Sequence, residues 1–360
     1  VNTISTRRST PRRLGLGLVG GIGALALAAC AGTTDAGSGT ASDQDTVTLV
    51  THDSFAVSDD VLATFEAESG LTVKQVAPGD GGALVNQLVL TKDSPLGDVV
   101  FGIDNSFATR AIDEGVLAPY TPEGLADSAA QYAIGDGALT PIDVGDVCVN
   151  VDHAWFASAG IPEPVTLDDL TKPEYEDLLV VTNPATSSPG LSFLLATVGA
   201  YGEDGWEGYW AKLKDNGVKV VDGWSDAYSV DFSGGEGKGA RPLALSYSTS
   251  PAFTVSEDGT STSTGALLDT CFRQVEYAGV LAGAENPEGA KKLVDFLVSD
   301  AFQADVADNM YMYPANSDIT LPEGWAQFAP LSPEPFEVAP ADITAHRDEW
   351  IKAWTSTVIG

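Results

Sequence analysis

Between residues 47 and 115 short β-branched runs alternate with helical patterns, and this alternation constrains the fold more than any other feature of the chain. Val47-Thr-Leu-Val-Thr51 reads as a strand, and the helix after it begins at Ser58 and stops at Gly70, with Val61, Leu62 and Phe65 as its apolar face. Leu71 to Ala77 is the next strand, and Gly79-Asp80-Gly81-Gly82 opens a second helix bearing Leu84, Leu88 and Val89. Gly97-Asp-Val-Val-Phe-Gly102 returns as a strand, with Asp104 read as the cap of a third helix ending at Gly115. The order βαβαβα implies a parallel sheet with helices on both faces. In such sheets small molecules bind past the carboxyl ends of the strands. Three of these ends carry polar or glycine-rich turns: His52-Asp53-Ser54-Phe55, Gly79 to Gly82, and Asp104-Asn105-Ser106.

A second series repeats the design. A long strand from about Thr140 to Val151 carries the chain out of the first lobe, and Leu178 to Thr182 is a strand leading into Asn183-Pro-Ala-Thr-Ser-Ser-Pro-Gly190 and an apolar helix. Hydroxyls ahead of a helix that starts at Pro189 make either an anion site or a plain N-cap, because the free N–H groups and the helix dipole point there. After the strand Val218 to Val221, Trp224 stands among small polar residues, well placed to stack on a flat ring. Leu243-Ala-Leu-Ser-Tyr-Ser-Thr-Ser-Pro-Ala-Phe253 begins as a buried strand and ends in hydroxyls and aromatics. Asp80 reads either as a helix N-cap or as a partner for a cationic group. Cys271 to Val280 is a second crossing back to the first lobe; Pro287 opens a helix, another covers Ala301 to Ala307, and Trp350 and Trp354 lie at core spacing on the last helix, Pro340 to Thr357.

Charge narrows the function. The formal charge of −33, with 18 basic residues, excludes nucleic acid, since a phosphate backbone needs a basic surface. It favours a cationic ligand or serves solubility. Residues 1–29 combine Arg7-Arg8 and Arg12-Arg13 with an apolar run, the pattern of a signal peptide, and Leu27-Ala28-Ala29-Cys30 matches a lipobox in which Cys30 takes the lipid. Removing them takes away four Arg and no acid, so the charge moves from −33 to −37. Residues 30–45 are expected to be a flexible tether, so the chain meets the membrane only through its lipid, on the outer face of the cytoplasmic membrane. Export permits a Cys148–Cys271 bridge; two buried free thiols are the other reading. The three His are scattered, and neither Cys-x-x-Cys nor Gly-x-Ser-x-Gly occurs. No metal, cofactor or catalytic activity is therefore expected.

Together these residues resemble the thiamine-binding substrate-binding proteins of bacterial ABC importers, which have the type II periplasmic-binding-protein fold. The resemblance rests on Asp53-Ser-Phe, Asp80-Gly81, Asp98-Val-Val with Asp104-Asn105, Thr186-Ser187 with Pro189-Gly190-Leu191, and Gly223-Trp224-Ser225 with Ala227-Tyr228. It continues through Leu245-Ser246-Tyr247 with Thr249-Ser250-Pro251-Ala252, Gln274-Val-Glu276, Ala301-Phe-Gln303 and Met312-Tyr-Pro314. It implies a two-lobed α/β protein, with residues 46–145 and 278–360 as lobe 1, residues 146–277 as lobe 2, and a hinge of two crossings. It also implies a monomer that captures thiamine, or its mono- or diphosphate, and hands it to a membrane permease with a cytoplasmic ATPase. Ligand contacts then fall on Asp80, Gly81, Ser187, Ser188, Trp224 and Tyr247 through Ser250 (Tyr247, Ser248, Thr249, Ser250). The chain departs from the family pattern at His52, Phe253 and Tyr311, which stand where the family has Tyr, Tyr and Trp, and at Ala185, which replaces an Arg. Other readings are a receptor of this fold for ferric ion, polyamine or a thiamine-related pyrimidine, and a secreted hydrolase using Ser187 or Ser250.

Overall fold

The computed structural model describes residues 45–360; the expected signal peptide, the expected lipid site Cys30 and all of the expected tether but Asp45 lie outside the described residues. In chain order β1 (Thr46–Thr51), α1 (Asp59–Ser69), β2 (Thr72–Val76), α2 (Gly81–Leu90), β3 (Val99–Asp104) and α3 (Ala108–Asp113) follow the expected alternation. β4 (Leu117–Ala118), α4 (Asp127–Ala130), β5 (Thr140–Asp152) and α5 (His153–Ala159) come next. β6 (Leu179–Thr182), α6 (Ser188–Tyr201), α7 (Trp206–Asp215), β7 (Lys219–Val221) and β8 (Leu243–Tyr247) make the second series. The chain then runs through β9 (Thr264–Leu281), α8 (Pro287–Leu297), α9 (Asp300–Met310), β10 (Tyr313–Pro314), α10 (Trp325–Phe328) and α11 (Pro340–Trp354).

One sheet of order β2-β1-β3-β9-β5-β8-β6-β7 spans these residues, with β4 on β9 and β10 on β5. Both flanks are parallel, as short βα units require: β1 with β2 and β3, and β6 with β7 and β8. The middle is antiparallel, because β5 and β9 pass between the flanks and pair with each other from Thr140↔Ala278 to Asp152↔Thr264. Every residue of β5 is buried, as expected of a strand covered on both faces. β9 begins at Thr264, seven residues before the crossing expected from Cys271, because the apolar run understates a strand whose first half carries Thr, Gly and Asp.

Local chemistry sets the element ends. Ser58 and Gly70 bracket α1, and Gly70 adopts the left-handed conformation (φ 73°) that lets its N–H return to Glu66 O. Asp104 does not cap α3: it ends β3, and its Oδ1 accepts from the Ser106 N–H, so the turn delays the helix to Ala108. The last helix stops at Trp354, short of Thr357, and continues as one wide turn over Thr355–Ile359. α6 is buried from Ser188 through Val198, which suits a helix apolar on all sides. The sulfurs of Cys148 and Cys271, both fully buried, are bonded across the central β5–β9 pair. Among the described residues no helix is long and apolar enough to cross a membrane.

Candidate functional site

A cavity of about 310 Å³ opens where the strand ends of both flanks converge, at the lower end of the usual range for small-molecule pockets. Each wall comes from the end of an element. β1 contributes His52 and Ser54, the start of α2 Asp80 and Gly81, and the start of α6 Ser188 and Pro189. The turn after β7 brings Trp224, Ser225, Tyr228 and Ser229, and β8 and the turn beyond it bring Tyr247, Ser250 and Phe253. Glu276 faces in from β9, Glu236 from the glycine-rich turn, and Asn309, Met310, Tyr311 and Met312 from the end of α9.

The aromatic wall is built by packing. Trp224 lies flat on Tyr228, with centroids 5.1 Å apart and planes at 11°, and its Nε1–H donates to Ser246 Oγ at 2.8 Å. Ser246 Oγ and Ser250 Oγ are hydrogen-bonded to each other at 2.7 Å, and Ser250 Oγ accepts from the Tyr247 N–H. The ring is therefore held on one side and free on the other. Elsewhere on the wall Phe253 meets Tyr311 edge-on at 5.3 Å, and Tyr311 ends α9 in the left-handed region (φ 53°). Phe253 is 46% exposed, an apolar ring at the mouth.

Charge on the wall is acidic. Among the lining residues there is no Lys or Arg, whereas Asp80, Glu236 and Glu276 are present. Asp80 Oδ1 accepts from the N–H groups of Gly81 (2.5 Å) and Ser188 (3.2 Å), and Oδ2 from the Trp224 N–H (2.9 Å). Burial pushes its carboxyl up from the ordinary value, against those donors. Asp104, bonded to Ser106 and to the Ser188 hydroxyl, is raised to about 6, again by burial. His52 Nε2 lies 3.5 Å from Glu276 Oε1, and its Nδ1 accepts from the Ser54 N–H. Desolvation opposes charge on this imidazole, yet the acidic neighbours, Glu276 foremost, leave it raised overall.

Three of the residues expected at the site do not reach the pocket wall. Ser187 is the N-cap of α6, fully buried, accepting from the Gly190 N–H and donating to Thr182 Oγ1. Ser248 and Thr249 are fully buried in the turn after β8, because that turn tightens and sends Tyr247 and Ser250 into the cavity instead. The start of α6, read from the sequence as either an anion site or a plain N-cap, is capped by Ser187 and already meets two carboxylates, Asp80 at the Ser188 N–H and Asp104 at its hydroxyl. Asp80 is thus both N-cap of α2 and pocket wall. Gly81 permits this approach, since a Cβ there would fall on Ser188 Oγ. Tyr311 and Tyr313 do not share a strand, and Tyr313 bonds Ala329 O outside the pocket. Sequence reading missed Tyr228, Glu276, Met310 and Met312 as wall residues; Tyr228 follows Trp224 by four positions, the helical spacing that stacks the two rings.

The family model for bacterial extracellular solute-binding proteins matches residues 94–331. The chain belongs to this family. As a solute-binding protein it is 32% identical over 319 residues to the thiamine-binding periplasmic protein of Escherichia coli strain K12, covering 87% of this chain and 93% of that one. A solved periplasmic thiamin binding protein superposes with a TM-score of 0.77 at 31% identity, covering 87% of this chain and 96% of its own. The iron-bound HitA of Pseudomonas aeruginosa superposes with a TM-score of 0.67 at 20% identity, over 87% and 99% of the two chains, a likeness of fold alone. The type II periplasmic-binding-protein fold expected from the sequence is therefore the fold of this chain.

Proposed function

We propose that this solute-binding protein captures thiamine outside the cytoplasm and delivers it to an ABC importer, performing no chemistry itself. The observation that carries the reading is an aromatic pocket with acidic walls and no basic residue in a chain whose relatives, alike over nearly their whole length, are thiamine-binding proteins. A flat ring slides against Trp224, Tyr247 and Phe253 in the manner that aromatic walls favour, and a cationic ring meets Asp80 and Glu276. Unphosphorylated thiamine suits the pocket better than its phosphates, because the start of α6 meets carboxylates and Ala185 brings no positive charge.

The remaining parts follow from the same reading. Residues 46–145 with 278–360 act as one lobe and 146–277 as the other, closing by a hinge in β5 and β9. The protein works as a monomer, held to the outer face of the cytoplasmic membrane through lipid on Cys30 after loss of residues 1–29, and it presents the closed form to a permease and its ATPase. Ferric ion is the weaker reading, because the iron-bound HitA is alike at 20% identity and the periplasmic thiamin binding protein at 31%.

Titration of the purified protein with thiamine, thiamine monophosphate and thiamine diphosphate, followed by tryptophan fluorescence, tests the reading. Saturation by thiamine below about 1 μM, roughly −8 kcal/mol, is the expected outcome, with weaker binding of both phosphates. No response up to millimolar thiamine would overturn it.

A further inference from the structure

Directly behind the pocket wall lies a second carboxyl group with no donor. Asp143 is fully buried, and among the described residues neither of its oxygens accepts a hydrogen bond. A register shift in β5 between Pro141 and Asp143 sets it opposite Glu276 of β9, and on its other edge it pairs with Pro314 of β10, which has no N–H to give. Asp143 and Glu276 are direct cross-strand partners, so their carboxyl groups project on the same face of the sheet, and with no other donor beside Asp143 a proton on one of the two is what can join them. Two ionised carboxylates so placed repel each other in a medium of low polarity, and one proton removes the repulsion.

Geometry decides which of the two carries it. Glu276, 4% exposed, opens onto the cavity, faces His52 Nε2 at 3.5 Å and accepts from the Gln274 amide at 3.4 Å. Asp143 has none of these supports, and burial together with the neighbouring Glu276 charge pushes its carboxyl well above the ordinary range. The other titratable groups around the pair are His52 at the end of β1, Asp80 at the start of α2, Asp104 at the end of β3 and Tyr247 on β8. Of these only His52 can carry positive charge, but its Nδ1 accepts from the Ser54 N–H, an arrangement in which the ring is neutral with its one proton on Nε2, toward Glu276.

We propose that Asp143 is the proton-bearing half of a buried carboxyl pair whose other half, Glu276, presents one negative charge to the pocket and so selects a flat ring bearing one positive charge. The inference rests on the cationic-ligand reading above and names the group that enforces it. Asp143 touches no ligand; it is a positioning residue that keeps the charge of the pair at one and on the side facing the cavity.

Infrared spectroscopy of the purified protein in D₂O reads the proton directly. Expected is a protonated-carboxyl stretch at pH 7 that is missing from Asp143→Asn, where the amide replaces the acid as donor to Glu276. Glu276→Gln should weaken thiamine at least about tenfold, as removal of one member of a charge pair does, while an uncharged analogue with carbon in place of the ring nitrogen binds within about threefold of its wild-type affinity. Absence at pH 7 of any band that Asp143→Asn removes overturns the pair, and equal weakening of charged and uncharged ligands overturns the selection. Should Asp143→Asn fail to fold, the band is read in Asp104→Asn and in Asp80→Asn, which remove the other two raised carboxyl groups of the site: a band that persists at pH 7 in both supports the pair, and its loss in either overturns it. A band that is present while thiamine fails to bind supports the pair and overturns the thiamine reading instead.

Discussion

Trp224 ties three parts of the site together: its ring lies on Tyr228, its Nε1–H reaches Ser246, and its backbone N–H holds Asp80. Trp224→Ala should cost at least ~2 kcal/mol of thiamine binding, the range of buried aromatic anchors, measured by calorimetric titration. Trp224→Phe keeps the stack and loses one hydrogen bond, so a loss of about 1 kcal/mol is expected. Gly81 is constrained by space: the Cβ of Gly81→Ala must displace the Ser188 hydroxyl from its bond to Asp104, and destabilisation of about 1–3 kcal/mol in urea unfolding is expected, with weaker binding. Asp104 gives a pH signature. Its folded value of about 6 lies above the ordinary 3.8, so the folded protein binds the extra proton and stability falls as pH rises from about 4 through 6. The shift is worth about 3 kcal/mol at most, at about 1.4 kcal/mol for each pH unit. Asp104→Asn should therefore flatten that part of the stability curve and leave the protein at least as stable at pH 8; an unchanged slope would remove Asp104 as its source. Of these residues, Trp224 was legible from its place after a strand end. The double role of Asp80 was legible only as two alternatives, and the part played by Asp104 depends on a partner 84 residues away, which no local pattern announces.

At the level of elements, strand and helix starts followed local chemistry closely, as Ser58, Asp80, Ser187 and Pro287 each stand at a helix start. What local chemistry did not reveal was which hydroxyls face the pocket. In Tyr247-Ser-Thr-Ser250 the backbone tightens into a turn, so the two outer residues enter the pocket and Ser248 and Thr249 turn into the core. The Cys148–Cys271 bridge is another element-level feature: residue types left it open between bond and free thiols, and strand pairing decides it by bringing β5 beside β9. It closes a separation of 123 residues, and restriction of the unfolded chain over a loop of that size stabilises by several kcal/mol. Cys148→Ser with Cys271→Ser should lower stability by about 2–5 kcal/mol in denaturant titration, with the same loss on reduction of the wild type.

The whole molecule acts through its charge and through the meeting of its two strand series. A chain of formal charge −33 surrounding an acidic cleft draws cations in, so the association rate of thiamine should fall several-fold between about 10 mM and 500 mM salt in stopped-flow fluorescence, as screening shortens the field. A rate that ignores salt would show that the net charge serves solubility alone. The sequence by itself determined the alternating strands and helices, the helix starts at Ser58, Asp80, Pro189, Pro287 and Pro340, the acidity and the family likeness, because these depend on residues close together in the chain or on the chain as a sum. Only the tertiary structure decided that Glu276 looks into the pocket with Asp143 behind it, that Tyr228 supports Trp224, and that the start of α6 meets two carboxylates and not an open site. The physical reason is distance along the chain: Asp143 and Glu276 meet through the register of two crossing strands, and a single shift in that register would turn either side chain to the other face.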